Sequence, residues 1–202
     1  MEKAMGKIMT AAAETRAAAG TMTNFRWKIA FLIFLISFVA YIDRVNLSVA
    51  TPVIMQEFGF TKIDMGFIQT CFFASYALMQ VPGGILAEKF GMRKTGALAI
   101  LWWSVFTALT ALAKGKISFA AVRLAFGLGE GPVFPSLGAA TFTWFNKHEK
   151  GKASSSILLG TFFGPVVGPV ATVTLVGLCG WLAVCIIFGL VGIALAWVWH
   201  RF

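Results

Sequence analysis

Asp43, Arg44, Arg123 and Glu130 stand inside long apolar runs of a chain that carries few other charges. A charge at the middle of a bilayer costs about 2.5–3.5 kcal/mol even on the lenient insertion scale. Two structural ion pairs would hold helices together, but Gly, Ser or Thr do that at lower cost. These residue types suit another task. A carboxyl group in a dry site holds its proton more tightly, and a neighbouring arginine loosens it again. Arginine stays charged, and its planar fork grips a carboxylate through two parallel hydrogen bonds. An entering organic anion could take an arginine from its internal acid, and that acid would then accept a proton. Such competition couples an anion flux to a proton flux, with Asp43 and Glu130 as the titrating groups. The expected partner is a small organic anion and the coupling ion is a proton; no cofactor is expected.

The spacing places these groups together. If the first apolar run leaves the bilayer near Thr51, Arg44 lies seven residues, or about 10 Å, below that surface. If the fourth run enters near Ile117, Arg123 lies at about 9 Å from the same surface. Asp43, Arg44 and Arg123 are then level. Glu130 follows Arg123 by two helical turns on nearly the same face, about 10 Å deeper, with Gly127 between them as a slot free of side chains. The expectation is a column of two cations above a carboxylate.

The elements that must position this column are legible as apolar segments. Of 202 residues, 58% are hydrophobic and 12% are charged, where a soluble domain carries about 25% charged residues. A globule of this size cannot hide so much apolar surface from water, so the excess must face lipid. Crossing a hydrocarbon core of about 30 Å takes about 20 residues of helix. Six segments qualify: 27–51, 64–87, 95–113, 117–145, 153–176 and 180–200. The fourth is long for one crossing. The predicted fold is therefore an all-α membrane protein with six transmembrane helices over 27–202, preceded by a loose, disordered cytoplasmic tail over 1–26. That tail lacks the apolar core and cleavage site of a secretory signal; Met22 is an alternative start.

Basic residues concentrate on the side of a membrane that stays in the cytoplasm. With the amino terminus inside, that side collects Lys3, Lys7, Arg16, Arg26, Lys28, Lys89, Arg93, Lys94, Lys147, Lys150, Lys152 and Arg201. The opposite side has Lys62, Lys114 and Lys116. Both termini are expected in the cytoplasm, with the lipid bilayer as the chain's surroundings. The net charge of +9 is topological, and no nucleic-acid partner is expected. Cys71, Cys179 and Cys185 read as small core residues, and His148 and His200 sit at membrane edges, which leaves no metal constellation. Paired acids and a His-x-x-His pattern suited to an intramembrane enzyme are also missing, so the chain is not expected to be an enzyme.

Two motifs carry a family resemblance. Gly84-Ile85-Leu86-Ala87-Glu88-Lys89-Phe90-Gly91-Met92-Arg93-Lys94 resembles the signature loop of the major facilitator superfamily, G-x-L-A-D-R-x-G-R-R/K, between helices 2 and 3. Glu88, Lys89 and Met92 depart from that pattern, the first two with charge sign kept. The resemblance gives Gly84, Glu88, Lys89, Gly91, Arg93 and Lys94 a gating role, clamping two halves of a transporter on the inner side. The run Tyr41-Ile42-Asp43-Arg44-Val45-Asn46-Leu47-Ser48 is similar to helix 1 of the anion:cation symporter branch. Arg123-Leu124-Ala125-Phe126-Gly127-Leu128-Gly129-Glu130-Gly131-Pro132 is similar to its helix 4. That branch includes proton-coupled hexonate, glucarate and hexuronate carriers. The likeness implies that Arg44 binds substrate, that Asp43 and Glu130 carry protonation, and that Arg123 is a charge partner. It also places Tyr76 and Gln80 of helix 2, and Asn46 of helix 1, among the candidate substrate contacts.

The fifth segment has Gly160, Gly164 and Gly168 at four-residue spacing with Pro165 and Pro169, which predicts close helix contact and kinks. It lacks Gln or Asn where sugar-acid carriers contact hydroxyls. The superfamily builds twelve helices from two six-helix halves around a midplane site. The expected function is thus the amino-terminal half of a secondary transporter in a plasma membrane, the bacterial inner membrane, symporting a small organic anion such as a sugar acid. A missing carboxy-terminal six-helix half is the expected partner. A non-transporting scaffold or sensor, or a truncated inactive fragment, is the alternative.

Overall fold

The computed structural model describes residues 25–201. Residues 1–24, most of the expected tail, lie outside the described residues, as does Phe202. Among the described residues every regular element is helical: α1 Phe25–Phe58, α2 Lys62–Phe90, α3 Met92–Leu109, α4 Lys116–Glu130, α5 Val133–Trp144 and α6 Lys150–Arg201. A short 3-10 turn, Thr110–Leu112, extends α3. Five stretches are long and apolar enough to cross a membrane, with α4 and α5 counted together.

Several expected boundaries move. The first helix does not stop at Pro52 but runs on to Phe58. A proline inside a helix removes one hydrogen bond, here to the carbonyl of Ser48. Ser48 lies on the exposed side of α1, where the loss is tolerated. At 34 residues α1 is about 51 Å long and outreaches the hydrocarbon core. The long fourth segment is two helices, because Gly131 and Pro132 separate Glu130 from Val133. A Cβ on Gly131 would meet Met79 Cβ at 2.7 Å, so this turn sits hard against α2.

The last two expected crossings form one helical run of 52 residues, about 78 Å if straight. Gly180 interrupts it with φ 79° and ψ 161°, a conformation open to glycine. Ala153 near one end clusters with Ala30 of α1, and Trp199 near the other lines a groove with Ile29. Both ends of α6 therefore lie at the same end of α1. Pro165 and Pro169 do not interrupt the run.

Glycines set the closest approaches. A Cβ on Gly160 would meet the Phe34 carbonyl and Ser37 Cβ at 2.6 Å, and one on Gly164 would meet Tyr41 Cβ at 2.6 Å. The first part of α6 thus runs along α1 backbone to backbone. In its second part, a Cβ on Gly189 would meet the Ser104 carbonyl at 2.8 Å, which docks that part on α3. Further contacts join α2 to α3, α4 and α5, and α3 to both α4 and α5. Trp103, Phe72, Phe126 and Ile100 are fully buried in the main core.

The outside is apolar: Phe31, Leu78, Leu98, Phe162, Val166, Leu178 and Trp197 are all exposed. Cys185 is buried, but Cys179 is exposed on that surface rather than in the core. Both ends are polar, and one is far richer in basic residues than the other. At one, Arg26 pairs with Glu149 at 2.9 Å and Arg93 Nε donates to the His200 carbonyl at 2.6 Å. At the other, Thr61 and Asp64 form a capping box that starts α2, and Asp64 pairs with Lys116 of α4. Trp181 Nε1 donates to Glu57 Oε2 at 2.7 Å at that same end.

Candidate functional site

Glu130 is the last residue of α4, and its position follows from the small residues around it. A Cβ on Gly127 would meet the backbone of α2 at Phe72, and one on Gly129 would meet the Trp103 nitrogen of α3 at 2.9 Å. Glycines let the end of α4 wedge between α2 and α3, and Glu130 is fully buried there. Gly127 is therefore a packing contact and not the open slot expected of it.

Arg44 of α1 reaches into this wedge. Its Nε donates to Glu130 Oε1 at 2.7 Å, and the pair is an ion pair. The guanidinium carbon lies 4.3 Å from the centre of the Tyr76 ring and 4.7 Å from that of Tyr41. Phe134 of α5 and Phe72 of α2 complete the box at 5.6 and 5.7 Å. The quadrupoles of four ring faces favour a cation at their centre. Arg44 Nη2 and Glu130 Oε2 have no protein partner among the described residues. The Arg44 side chain keeps 15% exposure where Glu130 has none, so the arginine is the part of the pair that solvent reaches.

The column expected of these charges changes shape here. Glu130 is not about 10 Å deeper than Arg44; the two are in contact, because α1 continues past Thr51 and carries Arg44 further from its end. Asp43, one residue earlier, turns toward α3. Its Oδ2 accepts from Trp103 Nε1 at 3.0 Å and, more weakly, from Thr107 Oγ1 at 3.4 Å. Asn46 follows Asp43 by three residues and is buried on the Asp43 side of α1, away from Arg44. Arg123 is buried, with its guanidinium 5.0 Å from the Phe126 ring centre. It makes no ion pair within 4 Å among the described residues, and its electrostatic neighbours are Cys185, Asp43 and Glu130. Arg44 and Glu130 are thus in contact, while Asp43 is buried against Trp103 and Thr107 and Arg123 is buried against Phe126.

The other candidates fall at two places. Tyr76 stands against Arg44, and Gln80, half-buried, follows it by one turn on the same face of α2. The signature residues gather where α2 passes into α3. Gly91 is the whole connection, with φ 85°, a left-handed value that favours glycine. Arg93 is tied to the end of α6, while Glu88, Lys89 and Lys94 are exposed. Gly84 is open, with Pro135 Cβ 3.9 Å from where its Cβ would be. The tight approach falls on Gly83, where a Cβ would lie 2.5 Å from Pro132 Cα.

Chemically, the Arg44–Glu130 pair can exchange one anion for another on a single arginine. Nε of Arg44 is engaged by Glu130, and Nη2 remains for an incoming carboxylate. Residues missed from the sequence are Trp103 and Thr107, the donors to Asp43, and the rings of Tyr41, Phe72 and Phe134.

Comparison with known proteins agrees with this architecture. Residues 33–202 match the family model of the Major Facilitator Superfamily. A probable galactarate/D-glucarate transporter of Bacillus subtilis is 34% identical over 193 residues, covering 91% of this chain and 42% of that protein. A probable sulfoacetate transporter of Cupriavidus necator is 36% identical over 163 residues, covering 81% and 37%. The chain spans about two-fifths of the length of these curated relatives. Among solved structures, a bacterial homolog of the human lysosomal transporter Spinster, in an inward-facing and occupied conformation, superposes with a TM-score of 0.83. It is 20% identical, and the match covers 89% of this chain and 44% of that one.

Proposed function

Because the chain belongs to the Major Facilitator Superfamily, an integral membrane family, we propose that it is the amino-terminal half of a secondary transporter carrying a small organic anion with a proton. The relatives are transporters rather than enzymes, and two of them are named for acid anions. The Arg44–Glu130 contact carries the proposal: a partly buried cation whose ion-pair partner among the described residues is a protonatable acid. Counting α6 as two passages about Gly180 brings the crossings to six. The basic end, with Arg26, Arg93, Lys94, Lys150 and Arg201, is then the cytoplasmic face of the bacterial inner membrane. The substrate site would lie at the midplane, closed by a second bundle of the same kind.

In this reading the anion approaches Nη2 of Arg44 and competes with Glu130 for the guanidinium. Once the arginine is shared, Glu130 is left in a dry pocket where protonation is the favoured way to lose its charge. Anion and proton then move as a neutral pair, and Asp43 is the second buried acid that can take up a proton. The sulfoacetate transporter shows that a relative of comparable identity is named for an anion without a polyol chain. Few polar side chains on the first part of α6 favour that smaller class of cargo.

The test uses the two-half transporter in liposomes. Glu130→Gln imitates the protonated acid, so proton-driven accumulation should be lost while anion exchange persists. If Glu130→Gln still concentrates the anion against its gradient as well as wild type, the coupling role passes to Asp43. A two-half assembly without any gradient-dependent uptake across sugar acids, sulfonates and monocarboxylates would favour a scaffold or sensor.

A further inference from the structure

Lys94 stands at the meeting point of two apolar grooves on either side of α3. One opens toward α2 and α4 and is walled by Leu86, Phe90, Trp102 and Leu128. The other opens toward the second part of α6 and is walled by Leu101, Ile193, Ala196 and Trp197. Lys94 and Leu98 line both, so Leu98, 67% exposed, is the ridge between them. The grooves are nearly equal in size, about 440 and 470 Å³. From Lys94 to Trp102 the first runs about 12 Å along the helix, close to one leaflet's share of a 30 Å hydrocarbon core.

The head of this site is cationic and unpaired. Lys94 has no ion pair or hydrogen bond among the described residues, whereas its neighbour Arg93 is committed to the His200 carbonyl. Arg201 adds a second cation, with its guanidinium 5.1 Å from the ring centre of Trp197 on the wall of the second groove. A cationic head shared by two apolar grooves matches one anionic head above two tails.

We propose that an anionic diacyl phospholipid saddles α3, its phosphate at Lys94 and one acyl chain in each groove. The lipid belongs to the leaflet on the side of the Gly91 turn. Its presence would tie α2, α3 and α6 together at the end where the chain gathers its basic residues. This site depends on membrane embedding and on neither the cargo nor the coupling ion, so it stands or falls apart from the transport proposal.

Native mass spectrometry of the purified full chain tests it, titrating dioleoylphosphatidylglycerol, dioleoylphosphatidylcholine and single-chain oleoyl-lysophosphatidylglycerol. Wild type should retain the diacyl glycerol lipid in preference to the other two. Lys94→Gln should lower its affinity about fivefold, the share of one interfacial cation, and Lys94→Arg should restore it. In parallel, brominated chains on the same lipid should quench Trp102 and Trp197 in wild type, measured as the quenching lost in a Trp102→Phe, Trp197→Phe variant. Equal retention of the choline and glycerol lipids, or unchanged affinity in Lys94→Gln, overturns the headgroup assignment. Equal retention of the single-chain lipid, or no quenching of either tryptophan, overturns the two-groove seating.

Discussion

Arg44 uses its Nε on Glu130 and surrounds the rest of its guanidinium with rings, and this division decides what substitutions should do. Lysine keeps the charge but presents no planar fork, so it cannot hold Glu130 and an incoming carboxylate in the same geometry. Arg44→Ala should abolish uptake by the complete transporter, and Arg44→Lys should weaken anion binding about ten- to hundredfold, the scale of a charge-assisted hydrogen bond. Substrate-binding titration beside a membrane-insertion assay checks both. Normal affinity in Arg44→Ala would falsify the binding role. Asp43 makes a parallel case with a different donor. Trp103 Nε1 is its main partner, and Trp103→Phe keeps the ring while removing the N–H. The variant should lose about 1–3 kcal/mol of stability, the cost of an unsatisfied buried acceptor. Thr107→Val, at the end of a 3.4 Å contact, should lose much less. Thermal unfolding in detergent separates the two, and equal losses would remove Trp103 from its special place. The four charges were legible in the sequence because a buried charge is expensive anywhere in a membrane. Their partners were not, since Trp103 lies 60 positions from Asp43 and an apolar run does not say which ring will face which helix.

Helices, as elements, were legible wherever apolar length alone decides, and illegible wherever a single glycine or proline does. Pro52 reads as a stop and is passed over on the exposed side of α1, while Gly131-Pro132 reads as part of a long helix and divides it. Gly180 reads as the first residue of a sixth segment and is in fact the entire interruption of α6. The glycines of α6 were correctly legible as close contacts because a missing side chain in a long apolar helix has few other uses. Their effect on the charged site follows from what they touch. A Cβ on Gly164 would meet Tyr41 Cβ at 2.6 Å, and the Tyr41 ring lies against Arg44. Gly164→Ala should therefore cost about 1–3 kcal/mol by overpacking and also raise the substrate KM by displacing that ring. Gly138→Ala in α5, with nothing within 4 Å of the new Cβ, should be neutral or slightly stabilising. Melting curves and uptake kinetics on the two variants make the comparison; an unchanged KM in a destabilised Gly164→Ala would confine that glycine to packing.

At the scale of the molecule, the helices place Arg44 and Tyr76 in a box that α1, α2, α4 and α5 wall on one side. Alternating access needs two bundles that rock about the site, each exposing it in turn. A bundle that bounds a site on one side cannot perform that exchange. The 202 residues expressed by themselves should therefore insert into a membrane as a folded helical bundle and yet fail to transport. Two copies facing one another could supply the second wall, but four arginines would then crowd one cavity, only partly offset by the extra carboxylates. The measurement is uptake by the purified 202-residue chain in liposomes under an imposed proton gradient, with sugar acids, sulfonates and monocarboxylates as cargo. No uptake is expected from the chain alone, and gradient-dependent uptake is expected once a complementary carboxy-terminal bundle is supplied. Uptake by the 202 residues alone, abolished by Arg123→Ala, would show instead that two identical bundles suffice. The second wall would then be the chain itself.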